Sequence, residues 1–166
     1  MEFRCHVSRV LHEEHLRLIA LLNQLEETLM RHRKADALDT GTSEVASLLG
    51  ELVVVLDSEV DRHFSFEEEQ LFPKLEEAGD GMIAAVLRGD HEVLRPLARE
   101  LVALARRARA EGLGGEDWQR FRLLGMELVE RQMTHIQREE MALLPLLDDL
   151  IDEETDQRLW SDYTAA

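Results

Sequence analysis

Residues 63–77 read HFSFEEEQLFPKLEE, and residues 135–149 read HIQREEMALLPLLDD. The two stretches align without a gap, so each carries a His-x-x-x-Glu pair, His63 with Glu67 and His135 with Glu139. On a helix, positions i and i+4 lie on one face, about 5–6 Å apart. Imidazole and carboxylate groups that point together into a core are costly to bury unless something compensates them. The pairs therefore predict helices that direct metal-binding groups inward.

Two further histidines lie in a second pair of matching stretches. EHLRLIALL begins at residue 14 and DHEVLRPLA begins at residue 90, which aligns His15 with His91. The chain thus reads as two helical hairpins related by a pseudo-two-fold axis. Each hairpin contributes one single histidine and one His-x-x-x-Glu pair, an arrangement that favours a two-metal site between the hairpins.

Apolar residues recur at spacings of four and three through four segments, roughly 5–34, 43–78, 82–111 and 117–151. In each segment one of the four histidines occupies a position where this apolar stripe should have a leucine. Thr42 or Ser43 is predicted to cap the second helix, Gly79 to end it and Asp80 to cap the third. Pro73 and Pro145 are predicted to kink the last turns of their helices.

Short loops make successive helices antiparallel neighbours. The sequence therefore predicts an all-α fold, an up-down-up-down antiparallel four-helix bundle over residues 1–152. A short acidic C-terminal tail is predicted over residues 153–166.

Helix rise places the candidate ligands at one level of this bundle. His91 lies 11 residues after Asp80 and Glu67 lies 13 residues before it, which corresponds to roughly 16 and 20 Å from the same end. His15 and Glu139 lie at similar depths in the first and fourth helices. No cysteine shares the stripe, and a set of imidazoles and carboxylates suits iron, manganese, zinc or cobalt.

Composition limits the class of protein. The chain has 35 acidic and 19 basic residues, a formal net charge of -16, which argues against nucleic acid and anionic membrane surfaces as partners. It has no apolar run of transmembrane length, and its first residues lack the apolar core of a signal peptide. The single cysteine, Cys5, fits a reducing compartment, so a cytoplasmic location is expected.

The joint pattern over residues 12–147 resembles that of the hemerythrin-like (HHE cation-binding) proteins. EEHLRLIALL is similar to the first helix of that family, and RHFSFEEEQLF is similar to the second. The resemblance implies a non-haem centre of two iron ions with carboxylate and oxo bridges. It implies that Glu67 and Glu139 bridge the two ions and that four histidines are terminal ligands: His15, His63, His91 and His135.

The sequence departs from the oxygen-carrying hemerythrins at two points. Those proteins have a further histidine one turn before the third-helix ligand, where this chain has Leu87, and an aspartate where this chain has Glu140. Glu140 is therefore an alternative to Glu139. The sequence leaves three alternatives for a fifth histidine ligand: His12, whose HEEH context resembles the first ligand region of iron-centre-repair proteins, His32, or none.

Losing one histidine without replacement would open a second coordination position for a small ligand. Gln132 and Glu59, each one turn before a ligand histidine, are candidates for supporting the ligands. The leading hypothesis is a di-iron protein that binds or senses dioxygen, nitric oxide or peroxide, or that handles iron. An enzyme that reduces peroxide or nitric oxide or repairs iron-sulfur clusters, and a helical interaction module with structural zinc or no metal, remain alternatives.

Overall fold

Four antiparallel helical segments form the bundle that the apolar stripes predict. A computed structural model describes residues 3–165. The first and third bundle helices are single α-helices. The second (residues 43–78) and the fourth (residues 115–150) are continuous helical segments that contain both α-helical and π-helical turns. The elements are α1 (His6–Arg31), β1 (Ala37–Leu38), α2 (Ser43–Ser58), π1 (Glu59–His63), α3 (Phe64–Phe66), π2 (Glu67–Leu71), α4 (Phe72–Ala78), α5 (Gly81–Glu111), β2 (Leu113–Gly114), α6 (Gly115–Arg138), π3 (Glu139–Leu143), α7 (Leu144–Leu150) and α8 (Glu153–Ala165).

The ends of the bundle helices have the chemistry of helix termini. The Thr42 side chain accepts a hydrogen bond from the Val45 amide, which confirms it as the cap of α2. Gly79 adopts φ 95° at the end of α4, a left-handed conformation that favours glycine. Asp80 holds the N-cap position of α5, but its side chain makes no capping hydrogen bond. The prediction of a side-chain cap there is therefore wrong.

The two prolines near the ends of the second and fourth bundle helices each follow a π-helical turn. Pro73 and Pro145 lie in the first turns of α4 and α7, directly after the π-helical turns π2 and π3. A proline has no amide hydrogen to donate to the carbonyl four residues earlier. A wider turn at that point accommodates the missing hydrogen bond without breaking the helix.

A short antiparallel bridge joins two loops at one end of the bundle. It pairs Ala37 with Gly114 and Leu38 with Leu113, and thus links the loop after α1 to the loop after α5. The indole nitrogen of Trp118 donates a hydrogen bond to the Ala35 carbonyl beside it. The apolar periodicity gave no sign of this bridge, because two-residue strands carry no period.

The C-terminal segment predicted as a short acidic tail forms a helix. Residues 153–165 form α8, which packs against α1 and buries Asp156, Leu159 and Tyr163 on one face. The segment is acidic as predicted, but its buried face makes it part of the folded body. Within residues 3–165, none of the helices combines the length and apolar character that a bilayer crossing demands.

The interior consists of two apolar clusters with a polar layer between them. On α1, Leu18 belongs to the larger cluster and Leu11 to the smaller one, and His15 lies between them. On α5, Leu94 and Leu87 flank His91 in the same way. The polar layer is thus enclosed by leucine side chains on both sides.

Candidate metal centre

The polar layer consists of six buried side chains supplied by all four bundle helices. Each of them exposes 1% of its surface or less. They form two groups that share Glu139: His15 and His63 with Glu139, and Glu67, His91 and His135 with Glu139. Helix periodicity brings them together because every one replaces a leucine of an inward-facing stripe.

Each glutamate connects the two histidine pairs. Glu67 places Oε1 at 3.3 Å from Nε2 of His63 and Oε2 at 3.3 Å from Nε2 of His91. Glu139 places Oε2 at 3.1 Å from Nε2 of His15 and Oε1 at 2.9 Å from Nε2 of His135. Both halves of the centre therefore offer two imidazole nitrogens and two carboxylate oxygens.

The glutamate oxygens and histidine Nε2 atoms of the polar layer lie close together, but most of them form no hydrogen bond with one another. All four carboxylate oxygens of Glu67 and Glu139 are buried and accept no hydrogen bond from the described residues, and Nε2 of His15 and His63 likewise has no hydrogen-bond partner there. Buried polar atoms are normally hydrogen-bonded, and orphaned ones carry a large desolvation cost. Nitrogen and oxygen atoms that face each other in this way fit cations bound between them.

Without a cation, protons provide the compensating positive charge. Burial alone disfavours the charged imidazolium, but the adjacent Glu139 and Glu140 carboxylates outweigh it and raise the pKa of His15 to about 9. Burial is likewise outweighed at His135, where the adjacent Glu139 and Asp90 carboxylates raise the pKa to about 10. The pKa of the Glu139 carboxyl lies well below its usual range, because His135 and His15 outweigh its own burial.

A second set of four carboxylates holds the outer nitrogens of the histidines. Each carboxylate comes from one bundle helix and contacts Nδ1 of the histidine on the next helix, so that the four contacts close a ring around the bundle. The Nδ1–oxygen pairs and distances are His63–Glu14 at 3.0 Å, His91–Glu68 at 2.7 Å, His135–Asp90 at 3.4 Å and His15–Glu140 at 2.7 Å. We call Glu14, Glu68, Asp90 and Glu140 the outer carboxylates. A carboxylate on Nδ1 fixes the tautomer that leaves Nε2 free to bind a metal.

The outer carboxylates are themselves held by positively charged or polar groups. Arg62 contacts Glu14, Arg95 contacts Glu68, Arg138 contacts Asp90 and His12 contacts Glu140. These contacts help to lower the pKa of each outer carboxyl against the effect of its partial burial. The carboxylates therefore remain charged and oriented toward the histidines.

The structure places the remaining predicted residues outside the two inner groups. His12 is partly exposed and its Nδ1 lies 2.9 Å from the Glu140 carboxylate, so it supports an outer carboxylate instead of joining either group. Glu140 itself contacts His15 from the outside. His32 caps the far end of α1, 17 residues or roughly 25 Å beyond His15.

Glu59 and Gln132 form a buried pair beside the centre. The Gln132 amide donates a hydrogen bond of 2.9 Å to Glu59 Oε1, and Glu59 Oε2 lies 3.9 Å from Nδ1 of His63. Burial raises the pKa of the Glu59 carboxyl above its usual value, although the nearby His63 opposes that effect. This pair therefore lies next to His63, as the sequence position of Glu59 suggested.

Sequence reasoning missed Glu14, Glu68 and Asp90, and it named Glu140 only as an alternative to Glu139. The repeat contains their signal, because an acidic residue precedes both His15 and His91 and another follows both Glu67 and Glu139. In a strongly acidic chain such residues are indistinguishable from solvated surface groups. Only the packing of neighbouring helices shows which of them contact a histidine.

Comparison with known proteins agrees with this geometry. The sequence matches no curated protein. Residues 6–147 match the family model described as the hemerythrin HHE cation binding domain, which spans all six inner residues and all four outer carboxylates. With most of its length matched and two buried His/Glu groups sharing Glu139, the chain belongs to the hemerythrin HHE cation-binding domain family.

Proposed function

We propose that this protein binds two iron ions in the inner layer and uses them to bind dioxygen, nitric oxide or peroxide. The observation that carries the proposal is the pair of buried glutamates, whose four oxygens have no hydrogen-bond partner among the described residues. Each glutamate directs its two oxygens to different histidine pairs. A single ion would leave one oxygen of each glutamate uncompensated, whereas two ions engage all four.

The donor set supports iron. Two imidazoles and two carboxylate oxygens per ion are ligands that iron shares with manganese, zinc and cobalt, and a site without thiolate is unsuited to softer metals. When bound, iron supplies a change of oxidation state and open coordination positions for a small ligand. Leu87 lies buried at the position where oxygen-carrying hemerythrins have a further histidine, so both halves have four protein donors, whereas a histidine at that position would give the half containing His91 a fifth.

The chain excludes water from this layer and fixes the ligands. The six inner side chains are almost entirely buried between two leucine-rich clusters. The Phe64 ring stacks on the His91 ring at a centroid distance of 3.9 Å and meets the His135 ring edge-on. A rigid, dry surrounding of this kind preserves the ligand geometry and slows the loss of a bound small molecule.

Metal content and ligand binding test the proposal together. Protein expressed with supplemented iron and purified without chelator should contain two irons per chain by elemental analysis. His63→Ala and Glu67→Ala should each abolish stable binding, whereas Glu69→Ala, at an exposed position beside the site, should retain both ions. Nitric oxide and dioxygen should then change the absorption spectrum of the loaded protein. A single zinc ion, or two irons retained in either ligand variant, would contradict the assignment.

Turnover of the bound ligand is a second candidate, and Glu59 is the observation that favours it. This buried carboxyl lies between His63 and a groove of about 170 Å³ whose lining includes Glu14, Arg17 and Glu59 itself. Reduction of peroxide or nitric oxide consumes protons and electrons; a carboxyl between solvent and the centre is placed to pass the protons, and a soluble one-electron reductant supplies the electrons. Steady-state consumption of either molecule by the iron-loaded protein with that reductant in excess, slowed in Glu59→Gln with iron content unchanged, would support turnover over binding alone.

A further inference from the structure

The C-terminal helix α8 reaches the centre with one aromatic side chain. α8 lies beyond residues 6–147, the part of the chain that matches the family model. Its residue Tyr163 is 2% exposed, and its hydroxyl donates a hydrogen bond to Oε2 of Glu14. The same oxygen lies 3.0 Å from Nδ1 of His63, and the hydroxyl lies 3.4 Å from that nitrogen.

The helix is held in place at both ends of its buried face. Near its start, Asp156 accepts hydrogen bonds from the amides of His6 and Val7, at 2.8 and 3.0 Å. These are the first amides of α1, which has no capping side chain of its own. Near its end, the Tyr163 ring lies 4.4 Å from the Phe66 ring, and the Arg62 guanidinium lies over it at 4.6 Å.

Glu14 is consequently fixed by three groups. Its Oε1 accepts from Arg62, and its Oε2 accepts from Tyr163 and faces His63. These three contacts engage both oxygens of the carboxylate and leave it one orientation. A charged carboxylate with one allowed orientation is the condition for holding the His63 ring in place.

The other hairpin has no such contact. Asp90 aligns with Glu14 in the repeat, and within residues 3–165 its partners are His135 and Arg138, with no hydroxyl among them. The Nδ1–oxygen distance is 3.4 Å at Asp90 and 3.0 Å at Glu14. The helix that lies outside the repeat therefore makes the two halves of the centre unequal.

We propose that Tyr163 is a positioning residue of the metal centre, which acts through Glu14 on His63 and so makes α8 part of the site. This inference rests on the proposed two-metal function. It predicts that the half of the centre containing His63 depends on the C-terminal helix, while the half containing His91 and His135 does not.

The test uses cobalt(II), whose absorption bands report the ligand field, on the full-length chain loaded with two ions per protein. Excess chelator should remove the two ions from Y163F in two phases, with one ion released about 3 to 10 times faster than in the parent. Loss of a group that holds a ligand histidine directly lowers metal affinity about 10- to 100-fold. The expected effect is smaller here because Tyr163 acts through Glu14. The absorption bands of that ion should shift as well. W160F changes an exposed aromatic residue on the same helix and should match the parent in both respects.

A double-mutant cycle separates positioning from a general loss of packing. E14Q should weaken the binding of the same ion. The double variant E14Q/Y163F should release that ion no faster than E14Q alone, because Tyr163 acts through Glu14. Additive effects, or a Y163F protein with parental release rates and spectrum, would overturn the inference while leaving the two-metal proposal intact. A parent protein that binds no cobalt would overturn both.

Discussion

The ring of outer carboxylates provides the sharpest test of how this fold builds a metal centre. Replacing Glu140, Glu68, Glu14 or Asp90 by alanine removes the acceptor that holds Nδ1 of one ligand histidine. The inner atoms stay in place, so each variant isolates the contribution of orientation. Their side-chain exposures are similar, between 16% and 28%, so differences in solvent screening do not obscure the comparison.

The distances set the expected order. Glu140 and Glu68 lie at 2.7 Å from their histidine nitrogens, within the range of charge-assisted hydrogen bonds. Glu14 lies at 3.0 Å, and Asp90, at 3.4 Å, is beyond the usual range. Loss of such a partner typically lowers metal affinity about 10- to 100-fold, or roughly 1.4 to 2.7 kcal/mol. We expect the loss of metal affinity to be near 100-fold for Glu140→Ala and Glu68→Ala. It should be intermediate for Glu14→Ala, and about 10-fold or less for Asp90→Ala.

Competition with a chelator of known affinity measures these constants directly. Glu69→Ala removes an exposed carboxylate beside Glu68 and controls for the loss of a negative charge from this acidic face. If all four variants lose no more affinity than Glu69→Ala, the ring does not support the ligands. If Asp90→Ala shows the largest loss, the reasoning from distance is refuted even though the ring matters.

Four further predictions follow from contacts around the centre and at the start of α1. His12→Ala should retain two metal ions per chain and lose less affinity than Glu140→Ala, because His12 only supports that carboxylate; a chain with one ion by elemental analysis would restore His12 as a ligand. Since the pKa of His15 is raised to about 9, that of His135 to about 10 and that of His63 well above its ordinary value, metal binding at pH 7 should release about three protons, measured by calorimetry in buffers of different ionisation enthalpy. The same raised pKa values stabilise the metal-free fold below pH 6.5, and this contribution should be lost as the pH rises through 9 and 10, seen as a falling thermal midpoint; a midpoint that rises over that interval would contradict the assignment. Asp156→Ala should destabilise the fold by about 1 to 2 kcal/mol in denaturant unfolding, because it leaves the first amides of α1 uncapped, whereas alanine at an exposed aspartate of α8 should have no such effect.

The bundle and the inner layer could be predicted from the sequence because both depend on helix periodicity. A leucine stripe fixes which face of each helix points inward, and short loops fix the direction of its neighbour. A histidine in that stripe, such as His15 or His91, must then point into the core. Counting residues from a shared turn gives its depth. None of these steps requires knowledge of how two helices pack in detail.

The outer carboxylates and α8 could not be predicted in this way because their partners are distant in the chain. Tyr163 contacts Glu14 across 149 residues, and Asp156 contacts Val7 across 149 residues as well. Residues 153–165 are mostly charged or polar, and a short segment with so few apolar side chains is typical of a solvated tail. Its stability comes from capping another helix and from one aromatic contact, which no local pattern records.

The spacing of buried residues in the sequence contains a signal for the π-helical turns. The inward residues after His63 are Glu67, Leu71 and Leu75, each four positions apart, and all are buried. In a regular α-helix four residues overshoot a full turn by about 40°, so three such steps would carry Leu75 about 120° away from the face of His63.

Turns with i→i+5 hydrogen bonds hold more residues and absorb this drift. In the second bundle helix, π1 ends at His63 and π2 begins at Glu67. In the fourth bundle helix, π3 begins at Glu139. The fourth helix repeats the spacing with Leu143 and Leu147, which are also buried. The wide turns therefore let one helix direct two ligands and the leucines beyond them into the same core, so an unbroken spacing of four around a His-x-x-x-Glu pair is itself a sequence signal for such turns.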